Sequence, residues 1–369
     1  MTELRRGDLD AFVRAPRDAY GRGSPSVSPL RADLARWLDG GRNPAFRGPE
    51  DIAFWTAHRG GRVLGRITAH VHHASNARHG WRRAFFGFFD CADDPAAAGA
   101  LLGAAEDWAR ARGLREIRGR FDLTAMQQIG VVTAGFEHPP YADQNWTPPH
   151  LPRLLDGAGY RPRFPMTTHE TALAGVDPET LLGPRQRALL ASNRFRWHPI
   201  TRRTLRTRLE DARRVLNDAF EANPMFVPLS EAEYRFQAEG LAWVIDPRIS
   251  AILHEGGAPV AGVVCIPDVN PLLRRVGPRP GPLAPWHWLR HRMTNRRAVL
   301  IYLATVRRLQ IQGVGALVMH RLLTSLKAAG YETMGSTWIA DENGPSLRQA
   351  EKLGARPLHR LHLFAKDLD

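Results

Sequence analysis

The clearest hydrophobic pattern lies in the C-terminal half of the chain, where an apolar run is followed by an amphipathic segment. The apolar run at 300–306 predicts a buried strand, and the apolar positions of 314–328 recur with helical spacing. Between them lies a short basic turn that contains two glycines. A strand, a tight turn and a helix in this order bring the free N–H groups of the helix N-terminus to the end of the strand.

Neighbouring patterns complete an α/β unit around this segment. The other predicted elements of this half are a helix at 205–220, a hairpin at 249–254 and 260–266, a strand at 333–340, a helix at 345–352 and a last strand at 362–366.

The first half of the chain repeats this order of patterns. A glycine pair before a β-rich run occurs at Gly60-Gly61 and again at Gly256-Gly257, and a glycine turn before a late strand also recurs. The repeat predicts two tandem copies of one α/β unit, at 1–171 and 205–369. Residues 172–204 are rich in arginine and are interrupted by three prolines, which predicts a connector.

Composition favours a cytoplasmic globular protein. The 369 residues are 43% hydrophobic, enough for buried cores. The two cysteines, Cys91 and Cys265, make neither a disulfide framework nor a metal cage, and the N-terminus does not resemble a signal peptide. Four histidines at 70–79 have no carboxylate or thiolate among them, so we expect no metal site.

A net charge of +14 favours anionic partners. The second copy also carries an insertion at 268–297 that is rich in arginine and contains Trp286 and Trp288 but has no acidic residue after Asp268. This composition is typical of an anchor at an anionic membrane surface, here the inner membrane. A solvated loop is the alternative, and nucleic acid is a less favoured partner.

The turn between strand and helix carries Gln310, Gly313 and Gly315 in the spacing Q-x-x-G-x-G. It resembles the acetyl-CoA-binding motif of the GNAT N-acyltransferase superfamily. The resemblance implies an α/β (α+β) fold of two GNAT-like domains, each with a mixed, mostly antiparallel sheet flanked by helices. It also implies an acyl-CoA or acetyl-CoA co-substrate, or an acyl carrier protein as donor. The implied donor-binding residues are Val306, Arg307, Arg308, Gln310, Ile311, Gln312, Gly313, Val314, Gly315 and Asn343.

The same resemblance implies catalytic roles in the second copy. The backbone N–H of Val306 is expected to polarise the thioester carbonyl, and Tyr302 and Glu342 are the other candidate catalytic residues. Relatives often place a tyrosine in the late helix, but 343–353 contains none, so the general acid stays open. The base stays open between Glu342 and four further carboxylates, namely Asp341, Glu137, Asp122 and Asp143.

In the first copy, Asp93 and Asp94 stand where the pyrophosphate turn would be. Because these carboxylates would repel a pyrophosphate, we expect the first copy to be degenerate as a donor site.

Several strings of the first copy, such as Asn43-Pro44-Ala45-Phe46 and the segment 121–130, resemble a bacterial family of tandem-GNAT proteins. One branch contains bacterial ceramide synthases, so the resemblance implies acylation of a long-chain lipid amine. The residues expected to contact the acceptor are Asp122, Gln127, Gln128, Glu137 and Tyr141. The alternatives are a Fem-like transferase that uses aminoacyl-tRNA and a non-catalytic binding protein.

Overall fold

The computed structural model describes residues 1–124, 127–221 and 226–368. Ala125 and Met126, which belong to the segment 121–130 noted above, lie outside this description. The strands are β1 Glu3–Arg6, β2 Ile52–Arg59, β3 Arg62–His70, β4 Arg83–Cys91, β5 Glu116–Gly119, β6 Val131–Ala134, β7 Arg161–Ala172, β8 Phe195–Pro199, β9 Ala251–Glu255, β10 Ala258–Pro267, β11 Arg297–Thr305, β12 Thr333–Ser336, β13 Ile339–Ala340 and β14 Arg356–Asp367. The helices are α1 Leu9–Tyr20, α2 Arg31–Trp37, α3 His73–His79, α4 Pro95–Arg110, α5 His150–Gly157, α6 Pro184–Ala191, α7 Leu205–Ala219, α8 Glu231–Ala238, α9 Leu241–Val244, α10 Asn270–Val276, α11 Ala284–Thr294, α12 Arg307–Gln310, α13 Val314–Ala328 and α14 Gly344–Lys352.

All of these strands join one mixed, mostly antiparallel sheet of 14 strands, and the helices flank it. The strand order is β1-β2-β3-β4-β5-β14-β7-β12-β11-β10-β9-β8, while β6 pairs with β14 and β13 with β7. Two large apolar clusters cover the sheet, one in each half of the chain. The predicted fold class, two α/β units in tandem, is confirmed.

The two copies exchange their last strands. β7 ends the first copy but pairs with β12 of the second, and β14 ends the second copy but pairs with β5 of the first. The exchanged strands also pair with each other along most of their length. Each copy is therefore completed by the other, which the repeat pattern alone did not predict.

Most predicted elements of the second copy are found within a few residues of their predicted bounds. α13 spans Val314–Ala328 as predicted. The predicted strand at 333–340 is instead broken into β12 and β13. The segment 172–204 is more than a connector, because it contains α6 and also β8, which pairs with β9 at the edge of the sheet.

The loop that precedes α5 packs against β12 through Tyr141. The Tyr141 hydroxyl donates to Glu170 at 2.5 Å and also lies 2.9 Å from the Thr333 hydroxyl. Its ring covers Gly335, where an added Cβ would lie 2.6 Å from the ring. A residue with a side chain at 335 could not keep this contact between the copies.

We therefore predict that Gly335→Ala lowers the free energy of unfolding by about 1–3 kcal/mol, because the added methyl group overpacks a buried contact. Gly103→Ala in α4 makes the same chemical change where nothing lies within 4 Å of the new Cβ, and it should instead stabilise the protein by about 0.5–1 kcal/mol. Urea unfolding measures both. Equal effects of the two substitutions would contradict the packing argument.

Candidate active site

β11 and β12 separate part-way along their length and open a gap in the sheet. They pair in parallel from Arg297 and Thr333 as far as Leu300 and Ser336. Beyond this point Thr337 still bonds to β11, through its N–H to the carbonyl of Leu300 at 3.2 Å and its hydroxyl to that of Ile301 at 3.0 Å. β11 then continues to Thr305 paired with β10 but no longer with β12.

The backbone of β11 turns alternate N–H groups into the gap. The N–H of Val306 donates to the carbonyl of Val260 at 2.9 Å, so it is used in the pairing with β10. In an antiparallel pair every second residue bonds to the partner strand and those between point away. Because the register pairs Ala304 with Gly262, the N–H groups of Leu303 and Thr305 point to the gap. The expectation that Val306 supplies this donor is therefore corrected to Leu303 and Thr305.

A glycine begins the helix that follows the gap. Gly313 has a φ of 81° and precedes α13, and within the described residues no side chain caps this helix end. The first N–H groups of α13 are thus left for solvent or an anion. A Cβ at Gly315 would meet only the Thr305 hydroxyl at 3.8 Å, so the space over the first turn is open.

The other predicted donor-binding residues surround this turn. Gln310 orients it by donating to the carbonyl of Thr305 at 3.1 Å, while Ile311 is 88% exposed. Arg307 and Arg308 are not free charges, because they pair with Glu221 and Glu255.

The segment between the copies also reaches the turn. Gln312 accepts from Arg194 at 3.3 Å, and Arg185 of α6 donates to the carbonyl of Ile311 at 3.4 Å. Sequence reasoning missed this contribution of α6, because its spacing carries no motif.

The corresponding places in the first copy are filled by the copy's own side chains. Asp94 caps α4 by accepting from the N–H of Ala97 at 2.9 Å. In the gap between β4 and β5, Asp122 accepts from the N–H of Phe88 at 2.6 Å and pairs with Arg120 at 2.8 Å. Asp122 is 3% exposed. It is therefore a structural residue and not the acceptor contact predicted for it.

A cavity of about 300 Å³ lies between the two copies and reaches the strand gap. Most of its walls are apolar, and they come from both halves of the chain, for example Phe85 and Phe121 of the first copy and Leu303 and Met319 of the second. Among the described residues no arginine or lysine lines it. Its titratable lining residues are His72, Asp143, His169, Glu233 and Tyr302.

Asp143 lies beside the point where β12 leaves β11. It stands in the turn 141–144 with a φ of 64°, and the next residue, Gln144, donates to the carbonyl of Ser336 at 2.6 Å. Burial raises the pKa of Asp143 to about 7. Within the described part of the chain its carboxyl group has no recorded hydrogen-bond partner, so it stays available to a ligand.

Glu233 is the second carboxylate of the cavity. Burial raises its pKa, but the neighbouring His72 and a hydrogen bond from the N–H of Ser230 outweigh this and lower it below the usual value. His72 Nε2 lies 3.9 Å from Glu233, while its Nδ1 accepts from the N–H of Ser75 at 3.2 Å. An Nδ1 that accepts carries no proton, so the ring N–H of His72 is at Nε2, on the side of Glu233.

The remaining predicted site residues divide between the cavity and other places. Tyr302 lines the cavity and shares a 2.6 Å hydrogen bond with Tyr234, and burial raises its pKa well above the usual value. Asn343 and Gln127 also line the cavity, and Asn343 caps α14.

Four predicted residues do not line this cavity. Glu342 and Glu137 are exposed, Gln128 lines a separate small buried pocket beside Asp122, and Tyr141 is the packing residue described above.

Two kinds of feature are absent from the residues that the structure describes. None of their helices has both the length and the apolarity needed to cross a bilayer. None of their His, Cys, Asp and Glu residues form a group of three or more that could hold a metal ion.

Comparison with known proteins gives relatives over the whole chain, although no protein-family profile matches it. Protein YghO of Escherichia coli (strain K12) is 26% identical over 380 residues, with 100% of this chain and 95% of that protein covered. The bacterial ceramide synthase of Caulobacter vibrioides (strain NA1000 / CB15N) is 26% identical over 371 residues, with 98% and 95% covered.

Solved structures match the fold over the whole chain. A tandem GNAT protein from the clavulanic acid biosynthesis pathway matches with a TM-score of 0.60 at 14% identity, covering 100% of this chain and 99% of that one. A GCN5-related N-acetyltransferase from Sphaerobacter thermophilus matches with a TM-score of 0.54 at 13% identity, covering 100% and 96%. The sequence resemblance is thus confirmed, and this chain has the fold of the tandem GNAT proteins.

Proposed function

We propose that this protein is an N-acyltransferase that moves an acyl group from a thioester to a primary amine with a long apolar chain. One arrangement carries the proposal: the second copy keeps its strand gap and helix N-terminus open, and the strand gap adjoins an apolar cavity that is also lined by carboxylates. The relative named bacterial ceramide synthase supports an acceptor of the sphinganine type, in a cytoplasmic enzyme that meets its lipid at the inner membrane.

The donor is a thioester of CoA or of acyl carrier protein. Its phosphate groups would bind at the first turn of α13, where the N–H groups of Gly313, Val314 and Gly315 have no capping side chain among the described residues. The N–H groups of Leu303 and Thr305 would polarise the thioester carbonyl, because oriented backbone donors stabilise the oxyanion that forms there. The second copy is thus the donor site.

The cavity suits an amine that arrives as an ammonium ion. In a chain with 51 arginines and lysines, none among the described residues lines the cavity, while Asp143 and Glu233 do. Apolar walls would hold the hydrocarbon chain of the acceptor or of the acyl group. An aminoacyl-tRNA donor, by contrast, would gain little from such walls.

Asp143 is the base that this geometry favours. It takes one proton from the ammonium group, and the free amine attacks the thioester carbonyl. As the C–N bond forms and the C–S bond breaks, the nitrogen loses a second proton, which balances the proton that the departing thiolate takes up. Tyr302 keeps its proton at neutral pH and lies on the strand beside the gap, so its hydroxyl is placed to protonate the departing thiolate. Asp143 belongs to the first copy, which therefore contributes to the reaction although it binds no donor.

The direct test is product formation. We expect purified protein incubated with palmitoyl-CoA and an amine panel to acylate sphinganine or 3-ketosphinganine at the nitrogen, and short hydrophilic amines at least about tenfold more slowly, because the latter leave the apolar walls uncovered. Mass spectrometry of the extracted lipids identifies the amide. If thioesters bind but no amine is acylated, the protein is better described as a non-catalytic binding protein. Transfer from aminoacyl-tRNA alone would favour the Fem-like transferase.

The donor site is tested by Gly315→Glu. The new carboxylate would stand over the first turn of α13 without steric strain, so we expect CoA affinity to fall at least about a hundredfold through charge repulsion and lost space. Isothermal titration with CoA measures this. Gly99→Glu adds the same charge to α4 of the first copy, also in open space. If this control lost CoA binding and Gly315→Glu kept it, the donor would lie in the first copy.

The base is tested by Asp143→Asn. We expect kcat to fall about 10²–10⁴-fold with little change in the KM of the thioester. The carboxylate forms as pH rises through about 7, so the wild-type rate should rise through that pH and then level off. The variant should lack this inflection and keep gaining rate toward high pH, where free amine forms in solution. The other titratable groups that face the cavity, His72, His169, Glu233 and Tyr302, remain unchanged.

Two variants control this experiment. Asp107→Asn removes an exposed carboxylate of α4 and should leave both kcat and the pH profile as they are. Glu342→Gln tests the base expected from the sequence, and a loss there with full activity in Asp143→Asn would return the role to Glu342. Asp143→Asn should also be more stable than wild type at pH 8, because a carboxylate whose folded pKa is raised destabilises the fold once pH exceeds its unfolded pKa.

A further inference from the structure

The insertion of the second copy forms two packed helices, α10 and α11, that leave a large apolar stripe in solvent. Leu283, Trp286, Leu289 and Met293 are 65%, 55%, 54% and 68% exposed, and they are four of the nine large apolar side chains that are exposed among the described residues. A helix that turns 100° per residue puts the last three on one face, within about 60° of one another. Exposed apolar groups concentrated in this way mark an interaction site.

Unpaired arginines lie around this stripe. Arg275, Arg290, Arg292 and Arg296 are exposed, and the described residues provide no ion-pair partner for any of them, although Arg292 lies over the ring of Trp288. No acidic residue occurs at 269–297. Arg307 and Arg308 at the donor turn, by contrast, are exposed but pair with Glu221 and Glu255. The surface thus combines apolar groups with uncompensated positive charge.

The helix pair is fixed to the body of the protein on its other side. Arg279 donates to Asp10 of α1 at 2.6 Å, and the N–H of Arg31 donates to the carbonyl of Pro278 at 2.8 Å. Within α11 the half-buried residues His287 and His291 lie on the side away from the stripe. The first copy therefore holds the insertion in place, so the stripe is presented by a supported helix rather than by a loose loop.

We propose that α11, with Leu283, Trp286, Leu289 and Met293, docks this protein on an anionic lipid bilayer, with the surrounding arginines against the lipid headgroups. Tryptophan, leucine and methionine on one face with arginine beside them can enter the interface between headgroups and acyl chains while the charges stay at the phosphates. This goes beyond the reaction proposed above and does not depend on it, because docking requires neither donor nor acceptor.

Co-sedimentation with vesicles tests the proposal without any substrate. The full-length protein is mixed with vesicles of phosphatidylcholine containing about one third phosphatidylglycerol, and with vesicles of phosphatidylcholine alone. We expect binding to the anionic vesicles that weakens as salt is raised, and much weaker binding to the neutral ones. Equal binding to both, or none to either, would overturn the proposal.

Variants locate the contact. Replacing Trp286, Leu289 and Met293 together by serine should weaken vesicle binding more than about tenfold, because three apolar groups no longer enter the interface. Arg275→Gln with Arg290→Gln should weaken it about fivefold per arginine on the anionic vesicles only. All five side chains are exposed, so the fold should be unaffected, and thermal unfolding checks this.

Two controls remove equally exposed groups outside the insertion. Trp243→Ser removes a tryptophan that is 72% exposed, and Arg42→Gln removes an arginine that is 83% exposed. Neither should change vesicle binding, and a loss equal to that of the α11 variants would overturn the location.

Two other occupants of this surface give distinct results. Binding of a single-stranded RNA that the α11 serine variant loses, with no vesicle binding by the wild type, would assign the surface to nucleic acid. A wild-type dimer that this variant converts to a monomer, again without vesicle binding, would assign it to a second copy of the chain. Either result would overturn the membrane proposal.

Discussion

The exchange of the last strands is the constraint on which the site depends. β7 lies beside β12 and β14 beside β5, so neither copy has a complete sheet of its own. Because β7 carries Glu170 to the base of β12, Tyr141 can bond there and fix the loop that bears Asp143. A first copy that merely packed against the second could not hold this loop within a hydrogen bond of Ser336. The exchange converts two domains into the walls of one cavity.

The two copies differ in how their backbone donors are satisfied rather than in their architecture. In the first copy the gap beyond Phe86 and Gly119 is closed by the chain at 120–122, and a Cβ on Gly87 would lie 1.9 Å from the carbonyl of Phe121. Carboxylates of that copy occupy both the strand amide and the helix end. In the second copy no carboxylate among the described residues occupies the equivalent N–H groups. At the surface such groups can bind water and exchange it for a ligand. This difference is the basis for proposing the second copy, and not the first, as the donor site.

The fold and the donor turn could be predicted from the sequence, but few of the residues that line the cavity could. Helical spacing at 314–328 and the glycines at 313 and 315 are local signals, and the structure places both where the pattern puts them. The strand register is not local, so the resemblance that implied Val306 could not reveal that its N–H bonds to Val260. Asp122 was misjudged because its bond to the N–H of Phe88, which lies 34 residues away, follows only from the fold. Asp143 was one carboxylate among five until the fold brought it beside Ser336.

The distribution of charge connects the cavity with the surface. A chain of net charge +14 would repel an ammonium ion at long range, yet none of the arginines and lysines among the described residues lines the cavity. In the reaction and the docking proposed above, positive charges at the donor turn and at the insertion would attract anions, phosphate groups of the thioester in one place and of lipid headgroups in the other. A cationic lipid amine that is already held in an anionic bilayer never crosses the repulsive field as a free ion. It has only to move from the anionic bilayer to the carboxylates of the cavity. Arginines that bind the bilayer are therefore compatible with a cationic substrate.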